Sequence, residues 1–202
     1  MSASRILRAL EPVVRAFEIL GIAYQIGGSV ASSAYGIARA TIDVDLVTDM
    51  NETHVQPLVE RLRDAYYIDE ERVRDAVARR TCFNVIHFES MLKIDVFVMK
   101  TRPYDRVAFA RVRLEDLGEG EETRRHYVSS PEDVVLNKLD WYRQGGCVSD
   151  RQWSDVQGIL KVQLTSLDLH YMQRWAVELG LSQLLQQAFQ DAGLSPPAEI
   201  ER

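Results

Sequence analysis

Apolar side chains recur at three- and four-residue spacing through Ile6, Leu7, Leu10, Val13, Val14, Phe17 and Leu20, which predicts a helix with one buried face. Pro12 falls inside the pattern and predicts a kink or a fresh helix start there, and Gly21 closes it. Tyr24-Gln25-Ile26 then reads as a short strand ending in Gly27-Gly28, followed by a short helix from Ser29 to Gly36. Val44 to Thr48 is a second strand, Val55 to Ala65 an amphipathic helix, and Glu70 to Arg80 a heavily charged, half-exposed helix. Phe83 to Phe88 and Leu92 to Met99 are rich in strand formers and are joined by Glu89-Ser90-Met91, the pattern of a hairpin. Val107 to Leu114 and His126 to Ser129 read as edge strands around an acidic, glycine-bearing loop from Glu115 to Glu122.

After Pro131 the period becomes helical. The expected helices are Pro131 to Gln144, Asp150 to Val162, Leu169 to Leu179 and Leu181 to Ala192, with Gly145-Gly146 separating the first two and a frayed tail from Ser195-Pro196-Pro197. Strands interleaved with helices, then helices alone, predict an α/β (α+β) fold: a mixed β-sheet flanked by helices, with a C-terminal helical segment. The expected division is a core over 1–130 and a helical segment over 131–202 packed on it.

Composition adds boundaries. With 46% apolar and 27% charged residues in 202, the chain is neither disordered nor a disulfide scaffold, and it can bury a core without staples. Met1 to Leu20 carries Arg5, Arg8, Glu11, Arg15 and Glu18 and so is no secretory leader, and no stretch reaches the roughly 18 apolar residues of a membrane span. The expectation is a cytoplasmic protein that has no membrane partner, with Cys82 and Cys147 as reduced thiols. Lys+Arg number 24 against 30 Asp+Glu, a net charge of −6, which argues against coating nucleic acid by charge alone.

That acidic excess becomes informative at Ile26-Gly27-Gly28-Ser29, followed after 13 intervening residues by Asp43-Val44-Asp45. Carboxylates at i and i+2 of a strand project from one face while Val44 points to the core. Like charges that close repel unless a cation lies between them, and hard divalent cations take such oxygens. In Leu92-Lys93-Ile94-Asp95-Val96-Phe97-Val98 the apolar residues alternate with Lys93 and Asp95, which share the opposite face; Asp95 can complete a three-carboxylate cluster if the hairpin lies beside the first acidic strand. Gly27 and Gly28 permit close backbone approach to a phosphate, and a helix starting at Ser29 turns its N–H groups and hydroxyl toward an anion. An anion cradle opposite metal-binding acids is the layout for phosphoryl or nucleotidyl transfer. Taken singly, Gly-Gly is a turn and Asp-x-Asp also serves nucleotide-sugar glycosyltransferases; the ordered combination is what carries the reading.

This combination resembles the polymerase-β-like nucleotidyltransferase superfamily over residues 24 to 98: a hydrophobic residue, Gly-Gly or Gly-Ser, a short spacer, Asp-x-Asp, then a third acid on a later strand. The resemblance implies that Asp43, Asp45 and Asp95 bind Mg²⁺ (or Mn²⁺), that Asp95 is also the base near the attacking hydroxyl, and that Gly27, Gly28 and Ser29 hold the nucleoside triphosphate. Ser130-Pro131-Glu132-Asp133, Lys138 and Arg151-Gln152-Trp153-Ser154-Asp155 further resemble abortive-infection type toxin nucleotidyltransferases and their bacterial relatives. That implies a phosphate contact for Lys138, with Asp155 orienting Lys138 or touching substrate. Gln152 departs from the pattern, since many relatives carry a second acid there. Without the resemblance, Lys138 reads as a solvated helix lysine and Asp155 as the i+4 partner of Arg151.

The implied reaction is NMP transfer from an NTP to an acceptor hydroxyl on RNA or tRNA, a partner protein, or a small molecule such as an aminoglycoside. A binding module of a toxin–antitoxin type system and an Asp-x-Asp glycosyltransferase are the rivals. Arg39 and Thr41 are further phosphate candidates, Tyr66-Tyr67 a base-stacking one, and Arg102, Arg106, Arg111 and Arg113 a basic face for RNA. Trp141, Trp153 and Trp175 are expected in the core. Gly27 to Ala31 only approaches a nucleophile elbow, the four histidines have no zinc spacing, and neither a Walker A nor a Gly-x-Gly-x-x-Gly motif occurs.

Overall fold

The computed structural model describes residues 3–39, 41, 43–118 and 124–195. Two compact units form: Met1–Val30 with Ala40–Val128, and Ala31–Arg39 with Ser129–Arg202. The expected tail from Pro196 onward and the second half of the acidic loop, from 119, lie outside the described residues.

The first unit opens with α1 (Ala3–Ile19), a single helix with Pro12 inside it, so the fresh start expected at Pro12 does not occur. Strand β1 (Tyr24–Ile26) leads into α2 (Gly28–Tyr35), which ends in the second unit. Then follow β2 (Asp43–Thr48), a 3₁₀ turn at Glu52–His54, α3 (Val55–Leu62), β3 (Tyr66–Tyr67), α4 (Glu70–Arg79), β4 (Cys82–His87) and β5 (Lys93–Val98). The unit ends with α5 (Pro103–Ala110), β6 (Arg113–Asp116) and β7 (Arg125–Val128). The strands make one mixed seven-stranded sheet in the order β3-β4-β5-β2-β1-β7-β6. Its β2–β5 and β1–β7 pairs are parallel and the others antiparallel.

Alternation sorts the two faces. Val44 and Leu46 of β2, Val85 of β4, and Ile94 and Val96 of β5 are fully buried, as are Leu10, Val13, Val14 and Phe17 of α1 and Leu58 of α3. Tyr66 ties the edge strand β3 to α1 by donating its hydroxyl to the Ala9 carbonyl at 2.7 Å. Tyr66 is therefore core, contrary to the base-stacking expectation, and burial pushes its phenol up to about 12. Tyr67 is exposed.

Three further expectations are corrected. Of Val107 to Leu114, only Arg113 and Leu114 join a strand, and Val107 to Ala110 are helical: Pro103 fits the first turn of a helix, whose missing N–H costs nothing there, and Arg102 grips Asp105 at 2.8 and 2.9 Å across that turn. This also engages Arg102, one of the four arginines expected to face RNA. Of the last two strands, β6 lies at an edge and β7 lies inside the sheet against β1. Trp141 is exposed, whereas Trp175 is buried as expected.

The second unit holds the four expected helices, α6 (Pro131–Gln144), α7 (Asp150–Gln163), α8 (Leu169–Leu179) and α9 (Ser182–Asp191). The Ser130 hydroxyl caps α6 by accepting from the Asp133 amide, and Ser149 caps α7 in the same way through Gln152. The C-terminal end of α2 crosses α7 at two glycines: a Cβ on Gly36 would lie 3.0 Å from the Ile159 amide, and one on Gly158 would lie 3.3 Å from the Ile37 amide. Only glycine permits backbones that close. Gln163 reinforces the crossing by donating to the Tyr35 carbonyl at 3.0 Å. No described helix is long and apolar enough to cross a membrane, and Cys82 and Cys147 are free thiols.

Candidate functional site

The sheet face opposite the apolar core carries the acids. Asp43 and Asp45 alternate with buried Val44 and Leu46 on β2. The parallel register sets Asp45 beside Asp95 and Asp43 beside Lys93 on β5. Asn84 of β4 is the register partner of Asp95 on its other side. The hairpin thus lies against the acidic strand, as the three-acid reading required.

Each acid has a defined setting. The Thr41 hydroxyl is 2.8 Å from Asp43 Oδ1 and donates to it. Asp95 is held twice: Lys93 Nζ lies 2.7 Å from Oδ2, and Asn84 donates to Oδ1. The Asp95 hydrogen bond is the main reason that the Lys93 ammonium is held above its ordinary range; burial opposes this, and the charges of Asp95, Asp43 and Asp45 add to it. The three carboxylates therefore share a face. Among the described residues, no group of three or more His, Cys, Asp or Glu side chains is gathered so as to hold a metal ion. Lys93 and Asn84 complete this environment. Lys93 was legible as sharing a face with Asp95, whereas Asn84 gives no sequence signal beyond its alternate position on β4.

The glycine turn closes on the same acids. Continuing the β1–β2 ladder, the Gly27 amide donates to the Asp45 carbonyl at 2.9 Å. Gly28 then opens α2 with φ +54°, and a Cβ there would be 2.9 Å from Asp45 Cβ and would overlap its carboxylate. Gly28 is thus required twice, for its left-handed backbone and for its contact with Asp45. Ser29 follows in the first turn of α2, half-buried.

The second unit gathers Arg39, Lys138, Gln152 and Asp155. Arg39 Nε and Nη2 donate to Asp155 Oδ1 and Oδ2, both at 2.7 Å, a bidentate fork. Lys138 Nζ donates to Asp155 Oδ2 at 2.8 Å and to Gln152 Oε1 at 3.1 Å. Lys138 and Asp155 are both buried. Burial by itself raises the Asp155 carboxyl, but the hydrogen bonds from Arg39 and Lys138 overcome it and leave the group below its ordinary range. The readings made without the resemblance are the ones corrected: Lys138 is buried, not solvated, and the partners of Asp155 are Arg39 and Lys138. Gln152 thus accepts from Lys138 beside this pair.

No family model and no curated protein matches the chain in sequence. Solved structures do match in fold. The solution structure of the antibiotic-resistance factor ANT(2'')-Ia has a TM-score of 0.55 and 10% identity, over 95% of this chain and 97% of that one. The crystal structure of ANT(2'')-Ia in complex with adenylyl-2''-tobramycin has a TM-score of 0.58 and 11% identity, over 87% and 97%. An antigenic nucleotidyltransferase-like protein from Paracoccidioides brasiliensis has a TM-score of 0.51 and 16% identity, over 91% of each chain. The chain shares its fold with these three structures.

Proposed function

We propose that this protein is a nucleotidyltransferase that moves a nucleoside monophosphate from an NTP to an acceptor hydroxyl and releases pyrophosphate. The observation that carries the reading is the Gly27-Gly28 turn closed onto Asp45, on the sheet face that also bears Asp43 and Asp95. The carboxylate oxygens of Asp43 and Asp45 suit a hard divalent cation, Mg²⁺ or Mn²⁺, while the oxygens of Asp95 accept from Lys93 and Asn84. Such a cation, when bound by Asp43 and Asp45, neutralises triphosphate charge and lowers the pKa of an attacking hydroxyl.

The chain's own groups account for the rest. The amides at the start of α2, with Gly28 and Ser29, hold the triphosphate, because that helix end presents N–H donors and a positive dipole. The acceptor oxygen bonds to the α-phosphorus while the bond to the β-phosphate bridging oxygen breaks, and the pyrophosphate leaves with that electron pair. Asp95 takes the acceptor proton. Lys138 and Asp155 are the proposed nucleotide-binding pair of the second unit, with Asp155 fixing the direction of the lysine.

The acceptor is an RNA or tRNA end, a partner protein or a small hydroxylated compound, and ANT(2'')-Ia in complex with adenylyl-2''-tobramycin illustrates the last class. The fit of Gly28 to Asp45 speaks against a glycosyltransferase, which gives the glycines no role. A nucleotide-binding module without turnover is the remaining rival, and the held state of Asp95 is what favours it. Calorimetry with each NTP and Mg²⁺, set beside a pyrophosphate-release assay over the three acceptor classes, separates the two. The expected result is Mg²⁺-dependent NTP binding with pyrophosphate released in the presence of one acceptor. Binding with no release on any acceptor contradicts the transferase reading.

A further inference from the structure

Both oxygens of Asp95 have donors within the protein, Lys93 on Oδ2 and Asn84 on Oδ1. The Lys93 ammonium is itself a cation on the acid face, at the register position beside Asp43. A divalent ion on Asp95 Oδ2 would lie within a few ångströms of that ammonium, and like charges so close repel. The same carboxylate oxygen cannot serve both at short range.

The two side chains differ in freedom. Lys93 is the first residue of β5 and its side chain is 47% exposed, whereas that of Asp95 is 13% exposed. Its long stem can swing into water while the carboxylate stays fixed by the strand and by Asn84. We propose that Lys93 is an internal counter-cation that occupies Asp95 when no metal is bound and yields it when a divalent cation arrives. This rests on the nucleotidyltransferase reading. Lys93 is thus a positioning residue that sets the metal affinity of the acid face.

The test measures Mn²⁺ affinity of the full chain without nucleotide, from the electron paramagnetic resonance signal of the free ion. Lys93→Met, Lys93→Arg and Asp43→Asn are compared with the wild type, each checked for fold by circular dichroism. Lys93→Met is expected to bind Mn²⁺ about fivefold tighter, the order of affinity that a half-exposed ion pair contributes. Lys93→Arg keeps the cation and is expected to bind as the wild type does, and Asp43→Asn to lose the site. A purely structural ion pair would not tighten metal binding when broken. Unchanged or weaker binding by Lys93→Met, with binding still lost in Asp43→Asn, overturns the role of Lys93 and leaves the transferase reading standing. Tightening by Lys93→Arg equal to that by Lys93→Met also overturns it. No saturable Mn²⁺ binding by the wild type or by Lys93→Met overturns the metal reading and this inference together.

Discussion

Gly28→Ala is expected to lower nucleotidyl transfer by about a hundredfold, the cost of misplacing a reacting group by roughly an ångström. Two physical effects act together. At φ +54° an alanine is strained, and its methyl group would overlap the Asp45 carboxylate, with Asp45 Cβ only 2.9 Å away. Because Asp45 is fixed by β2, whose neighbours Val44 and Leu46 are fully buried, the clash must resolve by rotating the carboxylate or shifting the start of α2. Either change separates the anion cradle from the acids. The stability cost is about 1–3 kcal/mol, within reach of a folded protein, so turnover and unfolding are to be measured on the same sample. Near-normal turnover by the folded variant would contradict the role given to this turn.

Asp155→Ala is expected to destabilise the second unit by about 3–5 kcal/mol, because it leaves Lys138 buried without its carboxylate and releases the fork of Arg39. That corresponds to a drop in Tm of about 10 °C for a chain of this size. Asp155 joins three sequence-distant segments: its own helix α7, α6 through Lys138, and the segment after α2 through Arg39. Its folded-state pKa is depressed, since the Arg39 and Lys138 hydrogen bonds outweigh the upward push of burial. The stabilisation linked to that ionisation is therefore fully present above the unfolded carboxyl value of about 3.9 and fades as pH falls toward the folded value. Denaturant unfolding at neutral pH and below about pH 4 should show the gap between wild type and Asp155→Ala narrowing on acidification. A constant gap, or one under about 1 kcal/mol at neutral pH, would mean that the cluster is held by other contacts.

Much of this architecture is legible from local rules. Ser130-Pro131 announces the start of α6 by capping and by proline at the first turn, and the alternation in β2 and β5 is enough to place Asp43, Asp45 and Asp95 on one face. What local rules miss is pairing at a distance. The partner of Asp155 is Arg39, 116 residues away, while the nearer Arg151 offered a plausible helix pair. The stretch Tyr66–Tyr67 becomes a strand only because β4 lies beside it, and β7 is internal only because β1 accepts it in parallel. Val107 to Leu114 looks like a strand by side-chain type, and Pro103 with the Arg102–Asp105 fork decides for a helix as far as Ala110. Alternation puts three acids on one face, but it does not show that Lys93 and Asn84 already grip Asp95.

The most direct measurement follows α-labelled and γ-labelled NTP through the reaction with Mg²⁺ and an acceptor, for the wild type and for Asp43→Asn. The substitution keeps the shape of the side chain and an oxygen for the Thr41 hydroxyl while removing the charge. The expected result is α-label on the acceptor and γ-label in pyrophosphate with the wild type, and transfer reduced roughly a thousandfold in a folded Asp43→Asn protein. Undiminished transfer by that variant, or γ-label on the acceptor with the wild type, would contradict nucleotidyl transfer at the acid face.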